Sequence, residues 1–158
     1  MRWRPLIPVF LLGLAAADGG LGVGLLLPVA SSCVTSPFGP RRALGPAAPA
    51  AFHRGIDLRA PAGTDVVAMA DGDIIAVRRR GPGGLAVTVR HGAFTVLYAH
   101  FGRLAPAIAE GQARVRRGEK LGVSGRSGTS YGAHLYLEVQ LQGTAVDPEL
   151  FLDVSKCG

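Results

Sequence analysis

From residue 52 onward the chain is written in short runs whose apolar side chains recur at every second position, broken by turn residues. Leu85, Val87 and Val89 alternate with Ala86, Thr88 and Arg90, which is the period of a half-buried strand. Phe94, Val96, Tyr98 and His100 share one face of the next run, and residues 134–141 form the last clear strand. The runs 66–70 and 74–77 flank Asp71-Gly72-Asp73, a pattern that predicts a hairpin. Gly81-Pro82-Gly83-Gly84 predicts a second turn. Residues 108–118 include a turn, and 120–123 predict a short strand. Only residues 104–110 could make a helical turn, and Pro106 weakens it. The fold class predicted is mostly β, built of short antiparallel strands.

Composition agrees with that pattern. Among 158 residues there are 23 glycines and 11 prolines, while aromatic residues make up 6%. Frequent punctuation of this kind favours turns over long helices. Apolar residues reach 48%, enough for one modest core, and the length fits one domain plus a leader. No repeat, heptad or low-complexity tract is visible.

The first 30 residues are of a different character. Arg2 and Arg4 precede an apolar run over 6–17, and Ala15-Ala16-Ala17 supplies small residues before Asp18. That is the layout of a secretory signal peptide. A second apolar run over 21–30 makes the two together long enough for a retained membrane anchor. Either alternative puts the remainder outside the cytoplasm, in the periplasm or cell envelope. Residues 31–52 read as a Pro/Gly/Ala-rich approach segment and loop, and 53–158 as the domain itself.

Without Arg2, Arg4 and Asp18 the remainder carries 15 basic and 10 acidic side chains, a net charge of +5. Arg78-Arg79-Arg80 and Arg114, Arg116 and Arg117 contribute much of it. A basic exported domain is attracted to anionic wall polymer or lipid headgroups, or these arginines form a solvated face. Nucleic acid is not expected, since no stacking aromatics accompany the arginines. Cys33 and Cys157 have three readings: one disulfide closing a long loop, two free thiols, or Cys33 as a lipoprotein cysteine with a poorly matching lipobox.

Four histidines occur: His53, His91, His100 and His134. His53 and Asp57 stand four apart, and imidazole and carboxylate are both zinc ligands. The pair alone is weak evidence. His134 shares a strand face with Tyr136 and Glu138. Polar groups on such a face need partners if they are buried, or else they line an exposed polar face.

Several ordered motifs resemble those of the lysostaphin-type (LytM-like) zinc metallopeptidases. Ser36-Pro37-Phe38-Gly39-Pro40-Arg41 is similar to that family's opening segment, and His53-Arg54-Gly55-Ile56-Asp57 to its ligand motif. Gly63-Thr64-Asp65-Val66 with Ala70-Asp71-Gly72, then Val89-Arg90-His91-Gly92 and Leu97-Tyr98-Ala99-His100, follow in order. Gly118-Glu119-Lys120-Leu121-Gly122, Ser124-Gly125-Arg126-Ser127-Gly128 and Gly132-Ala133-His134-Leu135-Tyr136-Leu137-Glu138 complete the set, with Val146-Asp147-Pro148 behind them. The resemblance covers about residues 36–152. It implies a compact, duplicated hybrid-motif β-sandwich or barrel with a groove over one Zn2+ ion. It further implies His53 and Asp57 as metal ligands and His100 and His134 as catalytic histidines. His91 falls on a structural position, and Arg41 on a structural or groove-lining one.

The chain departs from the family at Tyr136, where the third metal ligand is ordinarily a histidine. Catalytic zinc normally takes three protein ligands and one open position. A phenol, with a reference pKa of about 10, is a poor neutral ligand, although a bound cation can take it as phenolate. Two functions remain open. One is a zinc metalloendopeptidase of peptidoglycan cross-links, with Tyr136 as substitute ligand or supporting donor. The other is a degenerate relative that binds and activates a cell-wall amidase, whose last strand often reads Leu-Tyr-Phe-Glu. A biotin or lipoyl carrier is set aside, because Met69-Ala70-Asp71 offers no lysine at the turn.

Overall fold

The computed structural model describes residues 25–43 and 51–158. The leader expected over 1–30 therefore lies outside the described residues as far as residue 24. Among the described residues no helix is long and apolar enough to cross a membrane.

In chain order the strands are β1 (Val34–Ser36), β2 (Gly39–Arg41), β3 (Ala51–His53), β4 (Ile56–Arg59), β5 (Asp65–Val67), β6 (Gly72–Arg78) and β7 (Ala86–His91). They continue as β8 (Phe94–Ala99), β9 (Phe101–Leu104), β10 (Arg114–Val115), β11 (Lys120–Ser124), β12 (His134–Leu141) and β13 (Thr144–Val146). One turn of helix, α1 (Pro106–Ala109), falls where a helical turn is expected. Its proline sits in the first turn, where a missing N–H costs nothing.

The largest sheet is antiparallel, in the order β1-β4-β12-β8-β7-β6-β10, with β13 also paired to β12. A smaller sheet runs β5-β11-β9, and β2 and β3 form a separate hairpin. The mostly β class expected from periodicity is what forms. The sheets remain open, and among the described residues none closes into a barrel.

Alternation explains the packing. Leu135, Leu137 and Val139 of β12, Val96 and Tyr98 of β8, and Ile56 and Leu58 of β4 are buried together with Val66 and Leu121 of the small sheet. The core thus lies between the two sheets. The intervening positions of β4 and β12 point to the opposite face, where Tyr136 stands across from both Asp57 and Ala99.

Three local expectations come out differently. Asp71-Gly72-Asp73 does not close a hairpin: β5 pairs with β11, whereas β6 pairs with β7 and β10. The segment between them crosses from one sheet to the other, because Ala68, Met69 and Ala70 are core residues. Residues 31–52 are not all loop, since β1 joins the large sheet and β2 pairs with β3. Residues 25–30, read as the end of the leader, pack onto the domain. Val29 is buried, the Leu26 N–H donates to the Met69 carbonyl at 2.9 Å, and the Val67 N–H donates to that of Pro28 at 2.9 Å. The turn at 81–84 forms as expected, closed by the Gly84 N–H on the Gly81 carbonyl.

Cys33 and Cys157 form a disulfide across a sequence separation of 124. Beside it, the Val34 N–H donates to Ser155 and the Cys157 N–H to Val34.

Candidate active site

The outer face of β4 and β12 carries the polar residues that alternation forced away from the core. Asp57 is at its centre. His53, at the end of β3, reaches it across the Arg54-Gly55 turn, with Nε2 3.4 Å from Asp57 Oδ1. His134 opens β12 and places its own Nε2 3.4 Å from the same oxygen. The second carboxylate oxygen, Oδ2, accepts from Arg41 at 2.9 Å, and Arg41 also donates to Ser36 Oγ at 2.7 Å. Arg41 is therefore a support for Asp57, in keeping with the structural role expected. Burial pushes the Asp57 carboxyl up, but the hydrogen bond and charge of His53, with His134 and Arg41, outweigh it and hold the group below the usual carboxylate range.

His100 follows β8 and stacks edge-on against His134, with ring centroids 4.7 Å apart. Its backbone is left-handed, with φ 68°, a conformation that costs energy in a non-glycine residue. Two loops hold it there. The His100 N–H donates to the Gly83 carbonyl at 3.0 Å, and the Gly125 N–H donates to the His100 carbonyl at 2.9 Å. Burial pushes the His100 imidazole below its ordinary value.

One pattern recurs at all three imidazoles. Nδ1 of His53 lies 2.8 Å from the Pro37 carbonyl, Nδ1 of His100 2.7 Å from that of Ser127, and Nδ1 of His134 2.9 Å from that of Gly132. A carbonyl only accepts, so each Nδ1 bears a proton, while the Nε2 atoms of His53 and His134 face the Asp57 carboxylate. None of these carbonyl partners carries a sequence signal, because the acceptor is backbone.

Tyr136 lies beside these groups, its ring centroid 5.5 Å from that of His53. Its hydroxyl donates to Glu138 Oε2 at 2.8 Å. Glu138 is 6% exposed, and its other oxygen accepts from Gln140 at 2.7 Å and Arg54 at 3.3 Å. Burial and the hydrogen bond to Glu138 raise the Tyr136 phenol above its ordinary value. Among the described residues, no group of three or more His, Cys, Asp or Glu side chains is placed to hold a metal ion.

His91 stands apart from this face. Its Nδ1–H donates to the Asp71 carbonyl at 3.0 Å, which leaves Nε2 to accept from the Tyr98 hydroxyl at 2.8 Å. That hydroxyl in turn accepts the Met69 N–H at 3.1 Å. A structural role is what these contacts provide.

Comparison with known proteins shows the family. The chain is 40% identical over 123 residues to the DD-carboxypeptidase/endopeptidase Mpg of Neisseria meningitidis, covering 77% of this chain and 27% of that protein. It is 33% identical over 99 residues to the murein hydrolase activator EnvC of Escherichia coli, covering 63% of this chain and 23% of that protein. It thus spans about a quarter of the length of these relatives. Among solved structures, a zinc-containing peptidase from Vibrio cholerae superposes with a TM-score of 0.66 at 28% identity, covering 76% of this chain and 37% of that one. The profile of peptidase family M23 matches residues 51–148. Since that match takes in more than half of the sequence, the chain belongs to peptidase family M23.

Proposed function

We propose that this domain is an exported zinc metalloendopeptidase acting on the peptide cross-links of peptidoglycan. The observation that carries the reading is the shared orientation of His53, His100 and His134. Each commits its Nδ1 proton to a backbone carbonyl, and in His53 and His134 this turns Nε2 toward Asp57. Metal-ligating histidines characteristically donate their second nitrogen to such a partner. The donor set, imidazole nitrogen with the Asp57 carboxylate, suits zinc.

His53 and Asp57 would hold the ion, and Arg41 fixes the carboxylate through Oδ2. When bound, zinc polarises the scissile carbonyl and lowers the pKa of a water. An imidazole of the His100–His134 pair would serve as general base toward the attacking water and as general acid toward the leaving amine. The left-handed backbone of His100 fixes where its ring can stand. The leader pattern supports export, and the disulfide fits an oxidising compartment. The names of a Neisseria DD-carboxypeptidase/endopeptidase, a Vibrio peptidoglycan DD-endopeptidase and a zinc-containing Vibrio peptidase support peptidoglycan peptides as substrate and zinc as metal.

A second reading, activation of a cell-wall amidase, is favoured by the engagement of the Tyr136 hydroxyl with Glu138 and by the likeness to EnvC. Purified protein separates the two. The peptidase reading expects about one zinc per chain, lost in His53→Ala, and release of cross-linked peptides from peptidoglycan without any added enzyme. Zinc-free protein that promotes wall hydrolysis only when an amidase is present would establish the second reading instead.

A further inference from the structure

Resting on the peptidase reading, we infer that the loop over residues 125–132 selects the substrate, with Arg126 pairing to a carboxylate of the peptide and Tyr131 packing against its chain.

This loop touches both histidines of the proposed acid–base pair. The Gly125 N–H donates to the His100 carbonyl at 2.9 Å, and the Ser127 carbonyl accepts from His100 Nδ1 at 2.7 Å. Arg126 stands between those two residues. Farther along, the Gly132 carbonyl accepts from His134 Nδ1 at 2.9 Å, and Ser130 Oγ lies 3.4 Å from the same nitrogen. Tyr131 stands between that second pair. Each of the two side chains is thus bracketed by neighbours in contact with a site imidazole.

The backbone around Arg126 is held firmly. Ser127 Oγ accepts the Leu85 N–H at 2.9 Å and donates to the Phe101 carbonyl at 2.7 Å. The Thr129 N–H donates to the Pro82 carbonyl at 2.8 Å. Gly128, with φ 75°, packs so closely on the 82–84 turn that a Cβ there would stand 2.3 Å from the Pro82 carbonyl oxygen. Yet Arg126 is exposed, and Tyr131 is 92% exposed. Internal packing therefore requires neither side chain. Presenting binding groups from a fixed backbone lowers the ordering cost of capturing a ligand.

Charge decides what Arg126 can take. Arg41 and Arg54, the other cations at the site, are engaged by Asp57 and Glu138. Among the described residues Arg126 has no such partner. A guanidinium matches a carboxylate with paired hydrogen bonds, and the peptides of peptidoglycan carry free carboxylates. An exposed tyrosine ring adds contact area at small rotamer cost.

The test uses the full chain, with cross-linked peptides released from peptidoglycan, their carboxylates either free or converted to carboxamides. Wild type is compared with Arg126→Gln, Arg126→Lys and Tyr131→Ala, each shown to be folded by its melting curve. On the free-carboxylate form Arg126→Gln should raise KM roughly 5–20-fold with kcat little changed, and Arg126→Lys should recover part of the loss. On the carboxamide form wild type and Arg126→Gln should coincide. Tyr131→Ala should raise KM on both forms alike. An unchanged KM in Arg126→Gln or in Tyr131→Ala, an equal Arg126→Gln effect on both forms, or a fall in kcat alone would overturn this assignment and leave the peptidase reading standing. Wild type that cuts neither form with zinc supplied would overturn the peptidase reading. Calorimetric binding of the uncut peptides then decides the role of Arg126, which stands if Arg126→Gln weakens only the free-carboxylate form and falls if it does not.

Discussion

Replacing Tyr98 with phenylalanine removes one oxygen atom from the centre of the core. That oxygen accepts the Met69 N–H at 3.1 Å and donates to His91 Nε2 at 2.8 Å. Tyr98 and Met69 are fully buried and His91 is 4% exposed. The remaining ring preserves the apolar packing, so the cost lies in two orphaned polar groups. Each unsatisfied buried group costs about 1–3 kcal/mol. The peptide N–H of Met69 has no access to water, whereas His91 lies near the rim and can be partly rehydrated. The expected loss is therefore about 2–4 kcal/mol, dominated by Met69. With a urea m-value of ~1.5 kcal/mol/M, the midpoint should fall by roughly 1.3–2.7 M. Urea titration of the oxidised protein above pH 7, followed by far-UV circular dichroism, measures it. A loss under ~1 kcal/mol with an unchanged m-value would refute the claim that this hydroxyl is the sole partner of the Met69 N–H.

Four further outcomes are expected. Burial holds the His91 imidazole below its ordinary value, so the unfolded chain binds that proton more tightly than the folded one. Its contribution is complete above ~6.5 and drains away as pH falls from there toward the folded pKa. His91→Gln should flatten the decline seen in urea midpoints below pH 6.5 without abolishing it, since His100 is depressed in the same sense. Replacing both cysteines with serine should cost up to ~5 kcal/mol for a loop of this length in the chain-entropy model, read as a shift in melting temperature that reductant reproduces in wild type. Gly55→Ala should destabilise by at least ~2–3 kcal/mol through overpacking, because its new Cβ would stand 2.3 Å from the Leu137 carbonyl oxygen, and thermal melting would show it. Tyr136→His should tighten zinc binding and raise peptidoglycan hydrolysis. A chelator titration showing no gain would mean that the native tyrosine does not limit the site.

Periodicity revealed the strands because one face of each is dry: Leu135, Leu137 and Val139 announce β12. It misplaced the turn at 71–73, because a crossover between two sheets uses the same Asp-Gly chemistry as a hairpin. Met69 and Ala68 were the clue, since a hairpin tip would not bury them. The proline- and glycine-rich stretch hid β1 to β3, whose three-residue lengths are too short for alternation to register. At the site, the ordered motifs brought His53, Asp57, His100, His134 and Tyr136 to one face. Glu138 was visible only as a neighbour on that face. The carbonyls of Pro37, Ser127 and Gly132, which take the Nδ1 protons of the imidazoles, are invisible in sequence because any residue type can supply them.

The disulfide also has a bearing on self-association. β1 ends the large sheet on one side, and an unprotected margin of that kind invites pairing with a foreign chain. Here the margin is occupied by residues 155–157, bridged to Val34 and riveted by the sulfur link beside it. Under reducing conditions this short seal would lose its covalent tie and keep its two peptide hydrogen bonds to Val34. Aggregation on storage should then track thiol content before any loss of secondary structure is detectable.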